Sequence, residues 1–185
     1  MVNKNEMNYL EIPTGSNSPE IVNAIIEIPL QSSNKYEYDK KLHVFRLDRT
    51  LHSPVHYPGD YGFIPSTLGL DNDPLDVLVL VESPSFPGCL MEVRPIGVLR
   101  MIDQGQRDSK ILAVTHNDPL YHNIHEVEEV YPHVLHSIEH FFKIYKELEG
   151  KKTEMAGWED ASAAKTSIIN CQKRFSQARG KAAMS

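Results

Sequence analysis

The stretch that most constrains this chain runs from Tyr57 to Val81, YPGDYGFIPSTLGLDNDPLDVLVLV. Three aspartates, Asp71, Asp73 and Asp76, fall within six residues, and the aliphatic run Val77 to Val81 follows at once. That run reads as a buried strand. Acids clustered at the mouth of such a strand need a cation or a strong reason to be there. Pro74 stiffens the turn, and Asp76 stands where the strand begins, so its direction is set by the strand. The string fails as an EF-hand loop. That loop needs a ligand at position five and Gly at position six, and here these are Leu75 and Asp76. Solvated acids in an Asx-turn would explain the string structurally. A hard-cation site would explain it functionally, and oxygen-only ligands suit magnesium or manganese better than zinc.

The rest of the chain gives this strand its neighbours. Residues 1–20 are polar, with Pro13, Gly15, Asn17 and Pro19, and read as a loosely held arm. Ile21 to Ile28 reads as a buried strand with Glu27 as an intruder, ended by Pro29. Tyr36 to Tyr38 and Val44 to Leu47 form a hairpin about DKKL. Thr50 to Pro65, with three prolines and two glycines, reads as loop. Leu90 to Ile102 reads as one long strand, bent or placed at an edge by Pro95 and Gly97. Asp103 to Ser109 is a polar loop, and Lys110 to Thr115 a further strand.

After that the period changes. Val134, Leu135, Ile138, Phe141, Phe142, Tyr145 and Leu148 share one helical face, with Pro132 at the start and Gly150 at the stop. A second helix covers roughly Asp160 to Ala178, with Ala161, Ala164, Ile168, Cys171 and Phe175 on its apolar side. Strands first and helices second is an α+β order, with a strand-rich barrel or sheet and the helices packed on its side. No repeat or linker divides the chain, so residues 1–185 read as one domain.

Composition removes several function classes. A formal net charge of -6 argues against a nucleic-acid partner. No apolar run approaches the roughly 20 residues of a membrane helix, and MVNKNEMNYLEIPTG has no apolar signal core. The two cysteines, Cys89 and Cys171, lack metal or redox spacing. Together these readings point to a cytoplasmic protein.

Two further constellations bear on chemistry. DQGQRDSK places Asp103 and Asp108 around a glycine, where they can converge on an ion, or simply form a surface loop. Lys35, Arg49, Tyr61, Lys110, Tyr145 and Lys146 are scattered cations and phenols, each explicable as structure. Taken with the acids, they are what a phosphoryl group requires. His136-Ser-Ile-Glu-His140 matches the H-x-x-E-H string of inverted zinc peptidases, and a polar outer helix face explains it equally well. GxxxxGK[ST], GxGxxG and GxSxG are absent, which disfavours P-loop, dinucleotide and nucleophile-elbow chemistry.

These residues, read together, resemble the first family of soluble inorganic pyrophosphatases, bacterial type. The resemblance runs from about Ile21 to Ala178. It rests on IEIP, KYEYDK, LDR, YPGDYGFIP, DNDPLDVLV, RPIGVLRMID, DSK, HFFKIYKELE and GWEDA. It implies a five-stranded barrel of OB type with flanking C-terminal helices. It also implies magnesium-dependent hydrolysis of pyrophosphate, with manganese or another divalent ion as a substitute. By position it makes Asp71, Asp76, Asp103 and Asp108 metal ligands and gives Glu37 a further metal. Asp73 becomes the general base. Lys35, Arg49, Tyr61, Lys110, Tyr145 and Lys146 become phosphate-binding groups, with Tyr57 and Glu27 lining the same cavity. Gln104 departs from the acid that relatives often carry there. The resemblance further implies a homohexamer of two stacked trimers, with His140 at a subunit contact. A barrel that binds phosphate or a nucleotide without turnover remains the second class of reading.

Overall fold

In a computed structural model the described residues are 7–182. Eight strands are followed by, or interleaved with, two long helices. The strands are β1 (Val22–Ile28), β2 (Asn34–Asp39), β3 (Val44–Thr50), β4 (Asp60–Ile64), β5 (Leu75–Leu80), β6 (Leu90–Asp103), β7 (Gln106–Thr115) and β8 (Thr153–Glu159). The helices are α1 (Pro132–Ile144) and α2 (Ala161–Ala182).

The sheet runs β1-β4-β5-β7-β6 and returns to β1 through a β1–β6 pairing, so five strands form a closed ring. This is an OB-type barrel. Its pairings are antiparallel except β5 beside β7, which is parallel. β8 extends the sheet from β6, and β2 and β3 form a separate hairpin. Closure removes the free edges that an open sheet would expose.

The aliphatic run of β5 has a direct physical reason. Val77 and Val79 point to a core shared with Ala164, Ile168 and Cys171 of α2. Leu78 and Leu80 point to a second core shared with Ile138, Phe141 and Phe142 of α1. Successive side chains in a strand face opposite ways, so a strand with a core on each side must be apolar throughout. The bend anticipated in β6 is a register shift between Pro95 and Gly97.

The structure departs from the expectations in five places. Thr50 to Pro65 is not all loop: Asp60–Ile64 is a fully buried strand between β1 and β5. Gly62 sits there because a Cβ would collide with the carbonyl of Ile25 on β1, so the glycine permits close packing and is no breaker. Asp103 to Ser109 is not an open loop but a tight β6–β7 hairpin, closed at Gln104 and Gly105 with φ of +51° and +83°. Positive φ at both central residues is the mirror-image turn that matches strand twist. β8 has no counterpart among the expected strands. The described part of the N-terminal arm is docked. Thr14 Oγ1 donates to Pro65 O at 2.9 Å, Ser66 N to Leu10 O at 2.9 Å and Asn23 N to Thr14 O at 2.6 Å. Helix α1 starts at Pro132 as expected but stops at Ile144, and Gly150, with φ of +71°, ends a short 3-10 turn beyond it.

Candidate active site

The acidic turn is held by its own short side chains. Thr67 ties its neck: its hydroxyl donates to Ile64 O at 2.5 Å and accepts from Leu75 N at 2.9 Å. Inside, Asp71 Oδ1 accepts from Asp73 N at 3.0 Å, and Gly69 N donates to Asp73 O at 2.6 Å. Asn72 takes the left-handed conformation, φ +68°, which Asn tolerates. A Cβ on Gly69 would lie 2.6 Å from Asp71 Oδ1, so a larger residue there would displace the Asp71 carboxylate. Asp71 and Asp73 are exposed, while Asp76 is half-buried as the second residue of β5.

The parallel pairing sets Asp76 beside Lys110 of β7. Asp108 is two residues before Lys110 on the same strand and therefore on the same face. Lys110 Nζ contacts Asp76 Oδ2 and lies 2.8 Å from Asp108 Oδ2. Burial works against its charge. Asp76 and Asp108 outweigh that and hold the ammonium well above the usual lysine range. Across the barrel end, Lys146 Nζ meets Asp103 Oδ2 at 2.5 Å.

The β2–β3 hairpin supplies the facing wall. Lys35 contacts Glu37 two residues on and lies 3.7 Å from Asp48. Arg49 pairs with Asp48 at 2.5 Å and with Glu149, whose side chain is 7% exposed, at 2.8 Å. Lys40, at the hairpin turn, lies 2.5 Å from Asp73. Tyr61 and Tyr57 are buried with ring centroids 5.4 Å apart. Burial raises both phenol pKa values well above 10, with Asp76 and Asp108 adding to Tyr61 and Tyr145 to Tyr57. They therefore stay protonated and act as donors, not bases. Glu27, half-buried on β1, accepts Tyr38 N at 2.8 Å. Burial lifts its carboxyl from 4.5 to about 8 against that hydrogen bond, so it holds its proton at neutral pH.

The structure brings Lys35, Glu37, Tyr61, Asp71, Asp73, Asp76, Asp108, Lys110, Tyr145 and Lys146 onto one cavity of about 290 Å³. Glu27 lines it too, as do Lys40 and Phe63, to which the sequence reading gave no part. Arg49, Tyr57 and Asp103 stand behind the lining: Arg49 is linked to Lys35 through Asp48, Tyr57 packs on Tyr61, and Asp103 pairs with Lys146. Lys40 was visible inside KYEYDK, but only the fold brings it to Asp73. Glu149 had no signal, since it meets Arg49 from 100 positions away.

The charges do not balance. The carboxylates of Glu37, Asp48, Asp71, Asp73, Asp76, Asp103, Asp108 and Glu149 outnumber the cations Lys35, Lys40, Arg49, Lys110, Lys146 and Lys151. A polyanion entering such a site needs further positive charge. Among the described residues no three carboxylates form a ready cage for an ion. Lys110 stands between Asp76 and Asp108, and Asp103 and Asp73 each turn to a lysine. The donor set nevertheless fits a hard divalent cation. All its donors are oxygens, and Asp103 Oδ1 is buried without a hydrogen-bond partner. The buried Arg49 Nη2 and Tyr57 Oη are likewise unpartnered, and both are suited to an anionic oxygen.

His136 and His140 lie exposed on the outer side of α1, and no third ligating side chain joins them among the described residues. No helix among those residues is long and apolar enough to cross a membrane.

A barrel end that gathers carboxylates, cations and neutral phenols is the equipment of a hydrolase acting on a phosphate anhydride. Residues 24–176 match the profile of the family described as inorganic pyrophosphatase. The inorganic pyrophosphatase of Halalkalibacterium halodurans is 51% identical over 157 residues, covering 85% of this chain and 96% of that protein. That of Haloferax volcanii is 48% identical over 168 residues, covering 90% and 95%. The crystal structure of the Thermus thermophilus inorganic pyrophosphatase superposes with a TM-score of 0.90 at 43% identity, covering 92% of this chain and 99% of that one. This chain belongs to the inorganic pyrophosphatase family, a family of diphosphatase hydrolases. The zinc-peptidase reading of the histidines falls with that assignment.

Proposed function

We propose that this protein hydrolyses inorganic pyrophosphate to two phosphates with magnesium as its metal and Asp73 as general base. The observation that carries the reading is the single cavity shared by Asp71, Asp73, Asp76, Asp108, Lys110 and Tyr61. Asp71, Asp76, Asp103 and Asp108 would hold magnesium, with Glu37 serving a further ion. Bound magnesium supplies positive charge and a water acidic enough to attack near neutral pH. Lys110 and Lys146 turn from their aspartates to the phosphoryl oxygens, and Lys35 and Arg49 join them from the hairpin. Tyr61 and Tyr145 donate phenolic protons to the same oxygens. Asp73 takes the proton of the attacking water as its oxygen bonds to phosphorus. The bridging P–O bond breaks, and the second phosphate leaves with the charge that the lysines and Arg49 compensate.

The resemblance supports a homohexamer in the cytoplasm, with His140 of α1, which is exposed, at a subunit contact. Phosphate release from pyrophosphate, measured with excess magnesium and again with a chelator, tests the activity. Rapid release abolished by the chelator is expected. No release at neutral pH with excess magnesium overturns the reading and leaves a phosphate-binding barrel.

A further inference from the structure

The acidic turn is tied to α2 through the two peptide groups that flank the Leu68 Cα. Leu68 donates its N–H to the carbonyl of Cys171 at 3.0 Å and accepts Arg174 Nε–H on its own carbonyl at 2.8 Å. Both partners lie on α2. Arg174 Nη2 also reaches Cys171 Sγ at 3.0 Å, which fixes the plane of the guanidinium. The Leu68–Gly69 peptide is bonded at both ends, its C=O accepting from Arg174 and its N–H donating to Asp73 O at 2.6 Å, so it cannot rotate about the chain axis without losing one bond.

Beyond that peptide the Gly69 Cα carries no Cβ, and one placed there would meet Asp71 Oδ1 at 2.6 Å. The peptide that Arg174 holds by its carbonyl is thus the one whose N–H holds Asp73, and Asp73 N in turn holds Asp71 Oδ1 at 3.0 Å. The Thr67 hydrogen bonds hold the two ends of the turn together. Among the described residues Arg174 has no ion-pair partner, so its interactions are spent on the helix and on this backbone.

We propose that Arg174 is a positioning residue for the Asp71–Asp73 turn. Through it, α2 sets how closely this turn approaches Asp76 and Asp108, and so the affinity of the site for its divalent cation. The inference rests on the reading of Asp71 as a metal ligand.

The test uses the chelator-stripped full chain, titrated with Mn2+ by electron paramagnetic resonance, with amide exchange at Gly69 and the melting temperature measured alongside. In Arg174→Ala, Mn2+ affinity falls about tenfold, the cost typical of losing a group that orients a ligand. Gly69 exchanges faster, while turnover at saturating magnesium stays within about twofold of wild type, since the chemistry itself is untouched. Arg174→Lys keeps a donor for Leu68 O and recovers at least half of the lost affinity on a logarithmic scale. If Arg174→Ala does not fold, Arg174→Gln, which keeps a neutral donor on a similar stem, is read by the same two measurements. Unchanged Mn2+ affinity and unchanged Gly69 exchange overturn the proposal, as does a lower melting temperature with unchanged affinity. A wild-type protein that releases phosphate only with metal, beside such a variant, confines the failure to Arg174. A wild-type protein that neither binds Mn2+ nor releases phosphate overturns the metal site and the positioning role together.

Discussion

The two walls of the cleft make the same kind of contact in different surroundings. On the barrel side, Lys110 bridges Asp76 and Asp108 between two parallel strands, with its side chain only 6% exposed. On the hairpin side, Lys40 meets Asp73 with side chains 47% and 64% exposed. The hairpin pairs only with itself in the sheet and leaves Leu42, Val44 and Leu47 open. An exposed ammonium–carboxylate pair contributes under about 1 kcal/mol, whereas removing one partner of a buried pair costs about 3–5 kcal/mol. The barrel wall therefore holds its ion pairs buried and fixed, whereas the hairpin, anchored by Tyr38 and Phe45, holds the Lys40 pair at its tip solvated and adjustable. A site that admits and releases a polyanion needs both.

The sharpest test separates chemistry from burial. Asp73 belongs to the exposed side, so Asp73→Asn should leave thermal stability unchanged. If Asp73 is the base, turnover at saturating magnesium falls by about 10³-fold. Wild-type turnover would remove Asp73 from the mechanism and leave the outer side a binding role only. Lys110→Met attacks the fixed wall. It strips the ammonium from between two aspartates and should lower the stability of the metal-free protein by about 3 kcal/mol. It should also reduce kcat/KM by about 10²-fold, through the lost phosphate contact. Magnesium should then stabilise the variant more than it stabilises wild type, because a divalent ion relieves the repulsion that the lysine relieved. Equal magnesium stabilisation of both would show that Asp76 and Asp108 do not share a cation site.

The fixed wall was also the legible one. β5 could be read because a strand with a core on each face is apolar at every position, and the acids before it could then be placed. The β6–β7 hairpin was missed because its tip is polar and solvent-facing, so strand and loop look alike between Asp103 and Ser109. β4 was hidden by rules that treat glycine and proline as breakers. At Gly62 the glycine answers a neighbouring backbone, and the buried Asp60 is satisfied by the amides of Leu30 and Ser85, which lie far off in sequence. β8 lies at the edge of the sheet, where little apolar alternation is needed. Residues 8–14 look like a free arm until Pro65 and Ser66 come into contact with them. The role of each site residue came from family resemblance, because no spacing rule joins Arg49 to Glu149 or Lys40 to Asp73.

Glu27 stands where the two walls meet, on β1 with its carboxyl bonded to Tyr38 N of β2. Its folded pKa, about 8, lies above the unfolded value of 4.5, chiefly through burial. The stability it contributes is complete below pH 4.5 and is lost as pH rises through 8. Glu27→Gln keeps the oxygen acceptor and cannot ionise. Urea unfolding of the chelator-stripped proteins should show wild type losing roughly 2–4 kcal/mol against this variant between pH 5 and 9. A gap that stays constant with pH would mean that Glu27 ionises freely and that the junction is wetter than its burial indicates.

The smallest effect belongs to Lys40→Met, and its smallness is what the comparison demands. The pair with Asp73 is mostly solvated, so its attraction is screened and the lysine gives up side-chain freedom to make it. Stability should change by less than about 0.5 kcal/mol, and kcat/KM by less than about threefold at 0.15 M salt. Since the attraction is Coulombic and exposed, the residual difference in kcat/KM should vanish at high ionic strength. A loss comparable to that of Lys110→Met, persisting in salt, would place the hairpin tip within the fixed machinery. The distinction between a rigid and an adjustable wall would then fail at the point where it is easiest to measure.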